Sequence, residues 1–160
     1  RKVLPRGAFS LISYCLMPNH FHLLIQQNTD LPITKIISKV CTSFSMIFNK
    51  NHKRVGGLFQ DQFKAVLIEN NEQLLWVSSY IHNNPKKAGL VKDLDKYQWS
   101  SYLEYNNANK KGLCKKELIL DQFNSPKKYM DICKQDYTET DHKMITDSDL
   151  LIDHDSKVQG

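Results

Sequence analysis

Glycine is scarce in this chain: six residues in 160, about half the usual share for a soluble domain. The six assemble no Gly-rich phosphate loop, and no segment repeats. A cysteine framework is lacking too. The four present (Cys15, Cys41, Cys114, Cys133) show no CxxC or other ligand spacing, and three of them lie in apolar patterns. That usage excludes a zinc-ribbon or disulfide framework and points to buried free thiols in a reducing cytoplasm. No run approaches 18 uncharged apolar residues, so nothing reads as a membrane span. The chain opens on Arg1 with no charged-then-apolar leader, so no signal peptide is read, and the missing Met leads us to expect a fragment.

What is present is ordinary in bulk. Apolar residues make up 41% and charged residues 24%, which sets aside wholesale disorder and fibrous classes. At this length one domain is expected, large enough to bury a core without staples but too short for a large barrel hydrolase. The formal charge of +5 is unevenly spread. Residues 1–130 hold 19 basic and 9 acidic side chains, or +10, whereas residues 131–160 hold 3 and 8, or −5. A basic body fits a polyanionic partner, most simply nucleic acid, and an acidic end either shields that surface or solubilises the chain.

Phe9 to Leu16 is β-branched and aromatic, Met17-Pro18-Asn19 is a turn, and Phe21 to Gln26 resumes as strand. An antiparallel hairpin is expected. Asp30 and Pro32 open a helix in which Ile33, Ile36, Ile37, Val40, Cys41, Phe44, Ile47 and Phe48 form one apolar stripe, stopping at Gly56-Gly57. Phe63 to Glu69 reads as a third strand. Asn70 and Gln73 have capping-box spacing for a helix that must end near Pro85, because proline disfavours helical geometry in the residue before it. Lys86 to Asp95 is a basic loop, and Tyr97 to Tyr105 a short aromatic helix packed back on the sheet. Lys110 to Asp136 offers one or two more helices, followed by an acidic, flexible end.

The chemistry-bearing residues begin at His20 and His22. Two apart on a strand, they project from one face and can converge on a metal ion. An HxH alone also fits a hydrogen-bonded surface histidine, and two imidazoles do not complete a site. On the helix spanning Glu72–Asn84, Tyr80 and Asn84 lie one turn apart on one face. Asn84 could lend its carbonyl oxygen to a metal with Tyr80 beside it as nucleophile; equally, Tyr80 packs in the core and Asn84 caps the helix. His82 points the other way and is expected at the surface. Tyr97, Trp99 and Tyr102 read as an anchor between helix and sheet. Lys50, His52, Lys53 and Arg54 form a charge run that complements the end of the first helix. Asp147, Asp149, Asp153 and Asp155 read as a solvated tail rather than a metal site.

Four segments, in order, carry a family resemblance: YCLMPNHFHLLI (Tyr14–Ile25), GLFQDQFKAVLIEN (Gly57–Asn70), YIHNNPKKAGLV (Tyr80–Val91) and YQWSSY (Tyr97–Tyr102). Together they resemble the single-tyrosine HUH transposases, in particular the REP-associated branch. The resemblance implies an α+β, ferredoxin-like antiparallel sheet with helices on one face. It implies that His20, His22 and Asn84 hold a divalent metal, Mg2+ or Mn2+, and that Tyr80 is the catalytic tyrosine. The implied activity is nicking and rejoining of single-stranded or hairpin DNA through a 5′-phosphotyrosine. Lys86, Lys87 and Lys92 then read as contacts to DNA phosphates, or otherwise as a solvated loop. The family's first strand and helix precede the point where this chain begins, so a sheet edge is expected to need cover.

The expected organisation is a catalytic domain over 1–109, a helical extension over 110–137 and an acidic tail over 138–160. Two rivals remain open: a non-catalytic module that binds hairpin DNA, and a metal hydrolase using the HxH with water. The second lacks an acidic base beside the histidines and leaves Tyr80 without a role. Homodimer and monomer are both compatible with the resemblance.

Overall fold

The hairpin forms as expected. In the computed structural model, which describes residues 3–60, 62–107 and 111–135, strand β1 (Phe9–Leu16) pairs antiparallel with β2 (Phe21–Gln27). The Met17-Pro18-Asn19 turn is closed by Met17 N–H donating to the His20 carbonyl at 2.8 Å. The register sets Cys15 opposite His22 and Leu16 opposite Phe21. Between Leu11 and Ser13 it slips by one residue, leaving Ile12 unpaired as a bulge with its side chain buried.

The outer edge of β1 is covered by the chain that follows the second long helix. Leu16 N–H donates to the Trp99 carbonyl at 2.8 Å, Ser101 N–H to the Tyr14 carbonyl at 3.0 Å, and Lys115 N–H to the Leu11 carbonyl at 2.8 Å. The hydroxyls of Tyr97 and Tyr105 donate to the Leu16 and Ile12 carbonyls at 2.6 and 2.8 Å. The aromatic segment expected as one helix is therefore divided. Leu94–Lys96 makes a single 3₁₀ turn, Ser100 makes a lone β-bridge to Cys15, and helix α3 starts only at Tyr102 (Tyr102–Asn106). Its anchor role passes to Tyr102 and Tyr97, while Trp99 is 56% exposed.

The expected third strand does not form. Within 63–69 only Val66 makes a β-bridge. The sheet has two strands among the described residues, and the fold is α+β.

Helix α1 (Ile33–Asn51) carries the expected stripe. Only Ile37 of that helix is buried; Val40, Phe44 and Ile47 are 46, 52 and 60% exposed. Phe44 packs against Phe48 and against Phe59, which also meets Phe21 on β2.

Helix α2 (Asn71–Lys87) starts where the capping signal put it. Asn70 Oδ1 accepts from Gln73 N–H at 2.8 Å, and Gln73 Oε1 accepts in turn from Glu69 N–H at 2.8 Å. It does not end at Pro85. Proline sits in the last turn, and the stop comes at Gly89, whose φ of +70° is the left-handed conformation glycine tolerates. Gly89 N–H donates to the Lys86 carbonyl and Leu90 N–H to the Pro85 carbonyl, both at 2.9 Å. That pair of bonds is a Schellman closure, so the bias proline imposes on Asn84 is overridden by a well-satisfied terminus.

Two helices follow, α4 (Glu117–Leu120) and α5 (Pro126–Cys133). They complete a single core with β1 and α2: Ile12, Cys15, Val77, Ile81, Tyr102, Tyr105, Ile119, Tyr129 and Cys133 are all buried within it. Cys15, Cys114 and Cys133 are buried thiols and Cys41 is half-buried, none in a disulfide. Among the described residues no helix is long and apolar enough to cross a membrane. The acidic tail and its aspartates lie outside the described residues.

Candidate active site

The site is assembled from the end of the hairpin and one face of α2. His20 lies just before β2 and His22 within it, and their Nε2 atoms stand 3.1 Å apart. Asn19 Oδ1 accepts a hydrogen bond from His20 Nδ1 at 2.7 Å, which orients the His20 ring. His22 is half-buried, and burial first, then the neighbouring His20, holds its pKa down at about 4. It is therefore neutral at physiological pH, the form that donates to a metal.

Across from this pair lies Tyr80. Its ring meets that of His22 edge-on at 6.2 Å between centroids and is stacked on Trp76 at 5.2 Å, with 17° between planes. Lys87 Nζ stands 5.4 Å from the Tyr80 ring centre. Burial raises the phenol's pKa, and a hydrogen bond from the Asn84 side chain draws it back. Asn84 Nδ2 also donates to the Tyr80 carbonyl at 3.2 Å. With that amide nitrogen committed to Tyr80, Oδ1 is the atom of Asn84 left to accept or ligate.

The residues present fit a divalent ion. Two imidazole nitrogens bound side by side on one metal sit about 3 Å apart, which matches the pair here. No group of three His, Cys, Asp or Glu gathers among the described residues, so a third protein ligand would have to come from another residue type, of which Asn84 Oδ1 is the candidate. The set carries no thiolate, so it offers nothing to a soft metal.

The lysines divide. Lys87 belongs to the Tyr80 surroundings, and Lys92 is exposed on the loop beyond α2. Lys86 turns to the far side, where Nζ donates to the Lys134 carbonyl at 3.0 Å beyond α5. His82 corrects our expectation outright: it is 0% exposed. It does point away from Tyr80, but that side of α2 is covered by α5, which single-helix geometry cannot foresee. Trp76 and Asn19 were not singled out from the sequence. The i, i+4 spacing of Trp76 to Tyr80, and the adjacency of Asn19 to His20, were the available signals.

The family described as "Transposase IS200 like" matches residues 1–84, just over half of the chain. The chain belongs to this family. The stretch that matches this transposase family contains His20, His22, Tyr80 and Asn84, and stops before the three lysines and α3–α5. A Haemophilus influenzae protein named "Putative REP-associated tyrosine transposase" is 30% identical over 93 residues. That alignment covers 51% of this chain and 52% of the relative, so the chain spans about half of that protein's length. No solved structure matches.

Proposed function

We propose that this transposase-family chain cuts and rejoins single-stranded or hairpin DNA with Tyr80 as nucleophile. The observation that carries the reading is the convergence on Tyr80 of His22 from β2 and Asn84 from its own helix. In the proposed reaction Tyr80 Oη loses its proton and bonds to the scissile phosphorus. The bond from phosphorus to the 3′ oxygen breaks, and that oxygen leaves with a proton as a free 3′-hydroxyl. A 5′-phosphotyrosine results, and because the ester retains the bond's energy, another 3′-hydroxyl can displace the tyrosine and rejoin strands.

The phenol needs help, since burial lifts its pKa above the ordinary tyrosine value. Asn84 Nδ2 favours the phenoxide by hydrogen bonding, and Lys87 supplies positive charge against the ring. Trp76 fixes the ring plane. His20, His22 and Asn84 would hold a divalent ion, Mg2+ or Mn2+, which when bound polarises a phosphate oxygen and offsets charge on the leaving group. Lys87 and Lys92 are the proposed phosphate contacts, with Lys86 held back by α5.

The test is a covalent-adduct assay. Labelled single-stranded hairpin DNA and Mn2+ are expected to yield a labelled band on a denaturing protein gel, absent with EDTA and absent in Tyr80→Phe. A band that persists in Tyr80→Phe would falsify the assignment of the nucleophile. Tight DNA binding with no band in any metal would favour the non-catalytic hairpin-binding module.

A further inference from the structure

Opposite Tyr80 on α2, the buried His82 is held at both ring nitrogens. Nε2 lies 2.7 Å from Ser101 Oγ and Nδ1 lies 2.9 Å from the Tyr129 hydroxyl, with Cys133 Sγ at 3.8 Å. Three tyrosine rings, of Tyr102, Tyr105 and Tyr129, meet the imidazole edge-on. One ring nitrogen donates and the other accepts, so a neutral imidazole is fully satisfied here in either tautomer. Burial keeps it neutral, with a pKa of about 3.

The partners matter more than the burial. The Tyr129 hydroxyl, on α5, lies 2.6 Å from Ser78 Oγ one turn earlier on α2. Ser101 Oγ accepts from Tyr14 N–H at 2.8 Å, and Ser101 N–H donates to the Tyr14 carbonyl. Tyr14 sits on β1 opposite Leu23, one pair from the Cys15–His22 pair. A continuous run of hydrogen bonds thus leads from α5 through His82 and Ser101 into the strand paired with the histidine strand. Packing alone would be met by an apolar side chain; an imidazole with both nitrogens engaged fixes spacing and rotation as well.

We infer that His82, clamped by Tyr129 and Ser101, is a positioning residue that sets the rotation of α2 and so the approach of Tyr80 and Asn84 to His20 and His22. The inference rests on the proposed role of Tyr80. It gives the region beyond the family match a mechanical role, in which α5 steadies the far side of the helix that carries the chemistry. Asn83 Nδ2 and Lys86 Nζ add bonds to the Gln135 and Lys134 carbonyls from the same side. Misplacement of reacting groups by about 1 Å costs on the order of a hundredfold in rate.

The test compares His82→Leu, His82→Gln and Tyr129→Phe in the full chain. The third removes a single hydroxyl and serves if His82→Leu does not fold. Single-turnover adduct formation at saturating hairpin DNA is expected to slow about tenfold in Tyr129→Phe and about a hundredfold in His82→Leu. His82→Gln, which keeps a donor and an acceptor, should recover part of the loss. DNA affinity should stay within about twofold, because the effect falls on the chemical step. Mn2+ affinity measured without DNA should weaken at least about fivefold, and amide exchange should quicken in Trp76–Lys87 while the hairpin is unchanged.

Unchanged rate, metal affinity and exchange in Tyr129→Phe and His82→Gln would overturn the inference. So would a loss confined to DNA affinity, or a lowered melting temperature with normal rate per folded molecule. Failure of the Tyr80 reading itself shows separately, as an adduct that survives Tyr80→Phe or never forms. In that case metal affinity and exchange still decide whether the clamp sets the helix.

Discussion

The two long helices invert what their sequences suggest. Helix α1 has the apolar stripe and buries only Ile37. Helix α2 reads NEQLLWVSSYIHNNPKK, polar at most positions, yet nine of its residues are buried, among them Ser78, Ser79, His82, Asn83 and Asn84. A stripe is a capacity for burial, and burial follows only where another element lies opposite. Helix α2 lies against β1 on one side and α5 on another. Its polar side chains are tolerated because they are matched, His82 to Ser101 and Tyr129, Asn83 to Gln135.

Three substitutions probe that inversion by urea unfolding. Ile81→Ala empties a site that is 4% exposed in α2, and a loss of about 2–5 kcal/mol is expected. A loss under about 1 kcal/mol would mean α2 is far less tightly packed than its burial implies. Gly89→Ala has open space for its Cβ, so its cost is the left-handed backbone alone, about 1–2 kcal/mol. An unchanged stability there would show that the Schellman closure does not limit α2. Ile47→Ser, on the exposed stripe of α1, should cost under about 0.5 kcal/mol. A markedly larger cost that depends on protein concentration would show that α1 is covered in solution, and the comparison would then fail.

The features legible in the sequence are those written over a few residues. β-Branched and aromatic residues around Met17-Pro18-Asn19 gave away the hairpin, and two-residue spacing the shared face of His20 and His22. Asn70 and Gln73 marked the start of α2, and four-residue spacing set Tyr80 beside Asn84. Illegible were outcomes decided by distant segments. The aromatic segment breaks at Ser100 because β1 offers it an edge to bridge. His82 is interior because Tyr129, 47 positions later, arrives over it. No local pattern carries that information.

The cover over β1 has one more consequence. A hairpin two strands wide ordinarily presents unpaired N–H and C=O groups on both flanks, a template on which strands of other molecules can grow. Here the carbonyls of Leu11, Ile12, Tyr14 and Leu16, together with the Leu16 N–H, are already taken on the β1 flank. On that flank the hairpin is closed to strand addition, and aggregation by that route would first have to peel away Tyr97–Tyr105 and Lys115.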